Sequence, residues 1–246
     1  MLKIEELSYS YQDRQAVCGA SFEVREGECL GLLGPNGAGK TTAISCMVGL
    51  LSDWQGAMSW HGKPFQPALQ AADRGLLGFV PQEIALYANL TAEENLDLFG
   101  ELNGLGKAER RQAVEKNLKL AGLVDRRKDL VRTFSGGMQR RLNLAAGLMH
   151  SPSLVLLDEP TVGVDPQSRN HLFETLVQLK ADGVSLLYTT HYMEEAQRLC
   201  DRIAIMNEGR VIAVGTPKEL AEQSGEPEAD LEKVFLKLTG RSLRDD

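Results

Sequence analysis

Residues 29–42 read CLGLLGPNGAGKTT, and this stretch decides the fold. An apolar run of strand length comes first, a glycine-rich turn follows, and the helical pattern TTAISCMVGLL begins at residue 41. The turn matches GxxxxGK followed by Ser or Thr, in which glycines let successive backbone N–H groups point at phosphate oxygens, at the positive end of a helix. The stretch therefore predicts a strand, a phosphate-binding loop and a helix.

Two side chains of this loop have a predicted chemical role. Lys40 is expected to neutralise the β and γ phosphates of a nucleotide, and the Thr41 hydroxyl is expected to bind Mg²⁺. A glycine-rich turn with an exposed lysine is the alternative, and the flanking strand and helix speak against it. The residues predicted to bind the nucleotide are Gly34, Asn36, Gly37, Ala38, Gly39, Lys40, Thr41 and Thr42.

Three further apolar runs also end on polar side chains. LLGFVPQ ends at Gln82, LVLLDE ends at Asp158 and Glu159, and SLLYTTH ends at His191. Taken alone, Gln82 and His191 are ordinary strand-end residues. In an open parallel sheet, however, ligands bind outside the carboxyl ends of the strands. Four such strand ends in one chain therefore predict a single nucleotide site to which all of them contribute.

The acidic pair is predicted to supply the remaining chemistry of that site. Pro160 follows the pair and prevents the strand from continuing. Asp158 is expected to hold Mg²⁺, directly or through water, and Glu159 is expected to orient and polarise the attacking water. A solvated surface pair is the alternative. The phosphate-binding loop upstream favours the catalytic interpretation.

The pattern of elements along the chain predicts an α/β fold. The first thirty residues alternate between polar and apolar side chains, which favours antiparallel strands, and strand and helix patterns alternate after residue 154, which favours a parallel sheet. We expect one domain over residues 1–246. Its parts are a core of residues 1–85 and 151–225, a helical subdomain of residues 86–150 and a helical tail of residues 226–246.

Two local signals mark helix ends inside the helical subdomain. Thr91 and Glu94 fit a capping box at the start of a helix, and Gly122 suits the C-terminal cap of the helix that follows. Residues 134–141, FSGGMQRR, open another periodic helix, for which Ser135 is a natural N-cap. This last motif is either a capped helix only or a second anion site at a helix N-terminus.

Composition bounds the partners that the chain can have. There are 27 Lys and Arg against 34 Asp and Glu, a formal charge of −7, which argues against a nucleic acid partner. No apolar run approaches the roughly 18 to 20 residues of a spanning helix, and the first residues lack the layout of a secretory signal. We expect no direct membrane insertion, so that work at a membrane requires another chain to hold this one there.

The order of these motifs resembles that of the ATP-binding subunits of ABC transporters, over essentially the whole chain. The family has the phosphate-binding loop, the glutamine, the SerGlyGly signature, the AspGlu pair, GlyValAspPro and the histidine in this order, here at 34–41, 82, 135–137, 158–159, 163–166 and 191. The resemblance implies a P-loop NTPase (RecA-like) core with an N-terminal antiparallel β subdomain and an inserted α-helical subdomain. This chain departs from the family signature at two positions: it has Phe134 where leucine is commonest and Met138 where glutamine is commonest. Because Ser135, Gly136 and Gly137 are intact, we expect an active site.

The resemblance also implies the cofactors ATP and Mg²⁺ and further roles for single residues. Gln82 is expected to be a Mg²⁺ ligand that reports the nucleotide state to a docked membrane partner, and His191 to sense the γ-phosphate. Tyr11 lies where the family places an aromatic ring against adenine, and Tyr9 is the neighbouring alternative. Asp165 is expected to lie at the contact between two subunits.

The assembly implied by the resemblance is a head-to-tail pair of subunits. Each ATP is expected to lie between the phosphate-binding loop of one subunit and the Ser135, Gly136 and Gly137 signature of the other. A homodimer is expected rather than a heterodimer, because the catalytic set is intact. An integral membrane permease is the second expected partner, and it would hold the cytoplasmic subunits at the inner face of the cell membrane.

Two segments narrow the resemblance to one branch of the family. Residues 187–220 and the ending LEKVFLKLTGRSLRD at residues 231–245 look like the ATPases of drug, lipid or polysaccharide exporters. The expected function is therefore an ATP-hydrolysing subunit that dimerises on ATP and powers export through a separate permease. One alternative is a force-transmitting ATPase that regulates a membrane partner without moving a solute. The other is a soluble ABC ATPase of DNA repair or translation, against which the acidic charge of this chain argues.

Overall fold

The computed structural model of the protein describes residues 1–227 and 229–240, and these fall into two units. The first unit comprises Met1–Arg74 together with the chain from Ser185 onward, and the second unit comprises Gly75–Val184. The first unit opens with β1 (Leu2–Tyr11), β2 (Arg14–Val24), β3 (Cys29–Leu33), α1 (Lys40–Met47), β4 (Gln55–Trp60), β5 (Lys63–Pro64) and α2 (Ala71–Arg74).

The second unit then interrupts the first along the chain. It contains β6 (Leu77–Val80), α3 (Ala92–Leu102), α4 (Lys107–Leu120), two 3₁₀ turns (Val124–Arg126 and Val131–Thr133), α5 (Gly136–Gly147), β7 (Leu154–Asp158) and α6 (Pro166–Ala181). The chain completes the first unit with β8 (Ser185–Thr190), α7 (Met193–Leu199), β9 (Arg202–Asn207), β10 (Arg210–Gly215), α8 (Pro217–Gln223) and α9 (Leu231–Thr239).

The first unit contains an antiparallel sheet in the order β2-β1-β4-β5. β1 and β2 form a hairpin whose pairing runs from Leu2 opposite Val24 to Tyr11 opposite Arg14. Its apolar positions are buried on one side, as the alternating sequence predicts. The predicted N-terminal antiparallel β subdomain is therefore confirmed.

The parallel strands of the first unit carry the phosphate-binding loop. β10, β9, β3 and β8 are hydrogen-bonded in that order, with β3 parallel to both β9 and β8. All five residues of β3 are buried, as the unbroken apolar run CLGLL predicts. Because Leu33 lies opposite Thr190, the chain leaves β3 and β8 at the same edge. The phosphate-binding loop and His191 therefore begin side by side.

The second unit has a parallel strand pair and a helical core of its own. In the pair of β6 and β7, Val80 lies opposite Leu157, so the two strands end at one edge, where Asp158 is the last residue of β7 and Gln82 lies two residues beyond β6. The helices α3, α4 and α5 bury a common apolar cluster. Its members are Ala92, Leu96, Val114, Leu118, Ala121, Leu123, Val131, Phe134, Leu142, Ala145, Ala146 and Met149. The inserted helices of the predicted fold are confirmed.

The local helix-end signals are confirmed as well. The Thr91 side chain accepts from the Glu94 backbone N–H, and the Glu94 carboxylate accepts from that of Thr91, which completes the capping box. Gly122 follows α4 with φ +63°, a conformation that glycine adopts without steric cost. The boundaries proposed for the subdomains remain predictions.

The C-terminal helix α9 is amphipathic. Leu231, Val234 and Phe235 are buried, and Gly240 ends the helix at φ +69°. Residues 228 and 241–246 of the predicted helical tail lie outside the described residues. Within the part of the chain that the structure describes, no helix combines the length and the apolar character needed to cross a membrane.

Candidate nucleotide-binding site

Two glycines give the phosphate-binding loop its shape. Gly39 has φ +102°, and a Cβ there would lie 2.4 Å from the carbonyl oxygen of Ala16. A Cβ on Gly34 would lie 2.3 Å from the carbonyl oxygen of Met206. The loop is thus packed directly against the backbone of two other segments of its unit. Only residues without a side chain fit at these two positions.

The Lys40 side chain is held by the loop itself. Lys40 is only 4% exposed, and its Nζ donates to the carbonyl oxygens of Gly34 at 2.7 Å and Pro35 at 3.0 Å. These neutral acceptors satisfy part of the hydrogen-bonding capacity of the ammonium while its positive charge stays at the loop. The geometry is that of a cation fixed beside a place for an anion.

The first turn of α1 presents its backbone N–H groups without a covering side chain from its own cap. Its N-cap is Gly39, which has no side chain to form a cap hydrogen bond, and no acidic residue lies in the first turn. The first N–H groups of a helix have no partner inside the helix and favour phosphate. Thr41, in this turn, is exposed. Its hydroxyl is accessible to a hard cation, which prefers oxygen ligands.

His191 lies next to this loop within the first unit. The backbone N–H of Gly34, the first loop residue, donates to the carbonyl oxygen of Thr190 at 3.3 Å. His191 follows directly, and its ring lies 4.0 Å from the ring of Tyr192, centroid to centroid. The structure therefore brings together the predicted cation, the phosphate-binding loop and the predicted γ-phosphate sensor.

The two tyrosines proposed for adenine stacking differ in exposure. Tyr11 is 48% exposed at the end of β1, whereas Tyr9 is half-buried. The rings pack edge to face with centroids 4.9 Å apart. Tyr9 therefore supports Tyr11 from one side, and Tyr11 is the ring with more free surface for stacking.

The acidic pair lies at the end of β7 in the second unit. Asp158 is 2% exposed and Glu159 is 6% exposed. Carboxylates are costly to bury, so a buried pair at a strand end favours a specific role over a solvated surface. Glu159 also has φ +44°, a left-handed conformation that is rare for residues other than glycine. Backbone strain of this kind is concentrated at functional sites.

Gln82 lies beyond the neighbouring strand, and its backbone is tied to α5. The Gln82 side chain is exposed, while its carbonyl oxygen accepts a hydrogen bond from Nη1 of Arg140. Nη2 of the same guanidinium donates to the carbonyl oxygen of Val162 at 3.2 Å. Burial lowers the pKa of Arg140. Sequence reasoning missed this residue, since nothing in the spacing of the motif indicates a partner 58 residues away.

The signature motif has one side facing outward and another packed inward. Ser135 caps α5 by accepting from the backbone N–H of Met138 at 3.3 Å. Gly136 is exposed, and a Cβ there would meet nothing within 4 Å. Gly137 is buried, and a Cβ there would lie 2.0 Å from the Ser168 hydroxyl oxygen. Ser135 and Gly136 therefore form an open helix N-terminus, while Gly137 allows close packing on α6.

The two departures from the family signature lie on the packed side. Phe134 is buried in the helical core of the second unit, and Met138 packs against the same core. They change the packing beneath the motif and leave its exposed backbone as it is.

Asp165 lies beside the signature and has a structural role of its own. Its carboxylate accepts from the backbone N–H of Ser168 at 2.9 Å and so caps α6. This hydrogen bond lowers the pKa of the Asp165 carboxyl. A Cβ on Gly137 would lie 3.2 Å from Asp165 Oδ2. The signature and the predicted subunit-contact residue therefore share one surface.

A buried parallel strand, a glycine-rich loop, a lysine held by the loop and an uncapped helix start together define a site for the phosphates of a nucleoside triphosphate. Residues 17–162 match the sequence model of the family described as "ABC transporter". The chain belongs to this family, and it is one of the family's ATP-hydrolysing subunits.

Curated relatives cover most of the chain. The "Linearmycin resistance ATP-binding protein LnrL" of Bacillus subtilis (strain 168) is 47% identical over 92% of this chain and 72% of its own length. The "Nod factor export ATP-binding protein I" of Burkholderia thailandensis is 43% identical over 90% of this chain and 72% of its own length. The chain is therefore similar to ATP-binding subunits of resistance and export systems.

Solved structures confirm the P-loop NTPase fold. One described as "Structure of ATP binding subunit of ABC transporter" has a TM-score of 0.86 and 32% identity, and the match covers 97% of this chain and 99% of that one. The dimeric ATP-binding cassette MJ0796, in a post-hydrolysis state with ADP and Pi bound, has a TM-score of 0.77 and 26% identity, with 88% and 98% covered.

Proposed function

We propose that the chain is the energising subunit of an exporter, which dimerises on ATP and drives a separate membrane permease. The observation that carries this proposal is the open helix N-terminus at Ser135 and Gly136. The chain already has one helix start that is proposed to bind phosphate, at Lys40. A second, exposed helix start suits the ATP held by another copy of the chain, because backbone N–H groups at such a terminus favour phosphate.

Each predicted site residue has a role in this mechanism. Lys40 neutralises the phosphates, and the residues from Gly34 to Thr42 surround them with backbone N–H groups. The oxygen donors proposed for Mg²⁺ are a hydroxyl, a carboxylate and an amide, the ligand types that this ion accepts beside substrate phosphates. These donors are Thr41, Asp158 and Gln82. Mg²⁺ supplies charge neutralisation at the oxygens of the transferred phosphoryl group.

The proposed catalytic base is Glu159. Held in its buried position after β7, its carboxylate orients and polarises the water that attacks the γ-phosphate. His191 contacts the γ-phosphate, and Tyr11 stacks on adenine. Asp165 contributes to the contact between subunits, where it lies beside the partner-facing signature.

The subunit pair is proposed to be a homodimer. Each chain carries both the phosphate-binding loop and the intact signature, so two identical copies can form two complete sites by a two-fold arrangement. ATP then favours the closed pair because it is bound well only there. Hydrolysis and release of phosphate remove that preference, which converts ATP consumption into opening and closing.

Export is favoured over the alternatives by the relatives. Two of them are named for linearmycin resistance and for Nod factor export, and both align with about nine tenths of this chain. We therefore place the subunits at the inner face of the cell membrane, bound to their permease. These two names favour export over a regulatory ATPase without transport and over an ATPase of DNA repair or translation.

Co-purification of the full chain from detergent-solubilised membranes tests this function. We expect a polytopic membrane protein to co-purify, and the complex in proteoliposomes to hydrolyse ATP. The matched complex carrying Glu159→Gln is expected to assemble equally well and to be inactive. Recovery of the chain with soluble proteins alone, from membranes of cells that express it, would contradict the proposal.

A further inference from the structure

The turn that carries His191 contains a hydrogen bond to a side-chain hydroxyl, that of Thr190. β8 ends at Thr190 and α7 begins at Met193, so only His191 and Tyr192 join them. The backbone N–H of Tyr192 donates to Thr190 Oγ1 at 2.9 Å. Since the rings of His191 and Tyr192 lie 4.0 Å apart, the orientation of the imidazole depends on how this turn is held.

The hydroxyl is in turn held by a buried carboxylate, that of Glu195. Its Oε2 accepts from Thr190 Oγ1 at 2.9 Å and from the Tyr188 hydroxyl at 2.9 Å. Tyr188 and Thr190 are two residues apart on β8, so their side chains point to the same face and reach one acceptor. A hydroxyl has one proton. Because Thr190 gives its proton to Glu195, its lone pair is directed to the Tyr192 N–H.

Burial gives these hydrogen bonds their importance. The exposed fractions of Tyr188, Thr190 and Glu195 are 0%, 1% and 5%. A buried hydroxyl that loses its hydrogen-bond partner is costly. An apolar side chain of similar volume would pack in this place without the cost of burying polar atoms. Helix packing alone therefore does not account for an acidic residue at this position.

The same strand end is connected to the phosphate-binding loop. The carbonyl oxygen of Thr190 accepts from the backbone N–H of Gly34 at 3.3 Å. Thr190 thus contacts the loop through its carbonyl group and the His191 turn through its hydroxyl. Glu195 fixes the hydroxyl from the α7 side.

We propose that Glu195 is a positioning residue for His191: acting through Thr190, it holds the imidazole in place for contact with the γ-phosphate. The proposal rests on the proposed function, in which His191 makes that contact. Glu195 itself touches no reacting atom and transmits its effect through the turn.

Steady-state ATP hydrolysis by the full chain tests this role. The variants are Glu195→Ala, Glu195→Gln, His191→Ala and the double variant Glu195→Ala with His191→Ala. Glu194→Gln, at an exposed position in the same helical turn, is the matched control and is expected to behave as wild type. Glu195→Ala is expected to lower kcat at least ~10-fold with KM for ATP changed less than about twofold, since displacing a reacting group by 1 Å costs up to ~10²-fold.

Two further results separate positioning from general stabilisation. Glu195→Gln is expected to retain most of the activity, because its amide oxygen accepts both hydrogen bonds. The double variant is expected to be no slower than His191→Ala, since a residue that acts only through His191 has nothing left to position. The proposal would be overturned in favour of a structural role if the double variant had a lower kcat than His191→Ala, or if Glu195→Gln were as slow as Glu195→Ala.

The outcomes also separate this proposal from the proposed function. If Glu195→Ala keeps the wild-type kcat while His191→Ala is impaired, the positioning role of Glu195 is overturned and the proposed function as an exporter ATPase is unaffected. Full activity of His191→Ala contradicts the role of His191, and the positioning proposal falls with it. If Glu195→Ala does not fold, Thr190→Val tests the same link by removing only the hydroxyl. It is expected to lower kcat as Glu195→Ala does, and normal turnover overturns the proposal.

Discussion

The Arg140 guanidinium donates a hydrogen bond to the carbonyl oxygen of Gln82 and thereby connects α5, the helix that begins at the signature, to the segment that follows β6. The same group reaches the carbonyl oxygen of Val162, just after the acidic pair. One cation on α5 thus holds two segments that carry proposed site residues. A planar guanidinium with several donors suits such a bridge better than a lysine ammonium does.

Replacing Arg140 is expected to weaken the second unit. Arg140→Ala leaves two main-chain acceptors without their donor and is expected to lower the free energy of unfolding by about 1–3 kcal/mol. The free energy of unfolding of Arg140→Lys is expected to lie between those of the wild type and Arg140→Ala, because a single ammonium does not span both carbonyl groups. Urea unfolding measures this, with Arg132→Ala, an exposed arginine of the same unit, as control. Equal losses in both alanine variants would show that the bridge contributes nothing.

Replacing the proposed base is expected to separate ATP binding from turnover. Glu159→Gln removes the polarising carboxylate while the phosphate-binding loop remains, so kcat is expected to fall ~10²- to 10³-fold with ATP still bound. With ATP, this variant is expected to elute as a dimer on a sizing column. Hydrolysis at the wild-type rate, for protein shown to bind ATP, would rule out Glu159 as the base.

The two signature glycines are expected to respond differently to the same change. Gly137→Ala places a Cβ 2.0 Å from the Ser168 hydroxyl oxygen, whereas Gly136→Ala places one in open space. We expect a lower Tm only for Gly137→Ala, by roughly 2–4 °C for each kcal/mol by which the free energy of unfolding falls. Gly136→Ala is expected to keep the Tm of the wild type and to lose ATPase activity, because in the proposed dimer the new methyl group would face the partner's nucleotide. Equal melting temperatures of the two variants would contradict the packing described for Gly137.

The cap of α6 is expected to be pH-dependent. The Ser168 N–H lowers the pKa of Asp165 below its ordinary value of 3.8, so the carboxylate stabilises the fold above that pH, and this contribution is lost as the pH falls through the folded-state pKa. Asp165→Asn keeps a capping oxygen but does not titrate. The difference in free energy of unfolding between wild type and this variant is expected to be constant above about pH 5 and to shrink in more acidic solution.

Urea unfolding at a series of pH values measures that difference. Asp125→Asn, at an exposed position in the same unit, is the control and is expected to show a smaller pH dependence. A difference between wild type and Asp165→Asn that stays the same down to about pH 3 would contradict the role of the charge.

Features that depend on neighbouring residues in the sequence were predictable. The GxxxxGK spacing predicted β3, the loop and α1, and Thr91 with Glu94 predicted a capping box that the structure contains. The strand-end position of His191 placed it beside the loop, because parallel strands of one sheet end at the same edge. In each case a short stretch of sequence carries the whole signal.

Features that depend on tertiary packing were not predictable. Arg140 is one of two adjacent arginines, and only the folded chain shows that it reaches Gln82. Glu195 is one of two adjacent glutamates at the start of α7, and its burial against β8 distinguishes it from the exposed Glu194. The left-handed backbone of Glu159 likewise has no signature in residue type, because such strain is sustained by the surroundings.

The most direct test of the shared site mixes two inactive variants of the full chain and measures ATP hydrolysis. Lys40→Ala removes the cation of the phosphate-binding loop, and Gly136→Asp places a carboxylate where the partner's phosphate is proposed to lie. In a head-to-tail pair, a mixed dimer has one fully intact site, so an equal mixture is expected to recover about a quarter of the wild-type rate. A mixture as inactive as either variant alone would contradict a nucleotide site completed by a second copy.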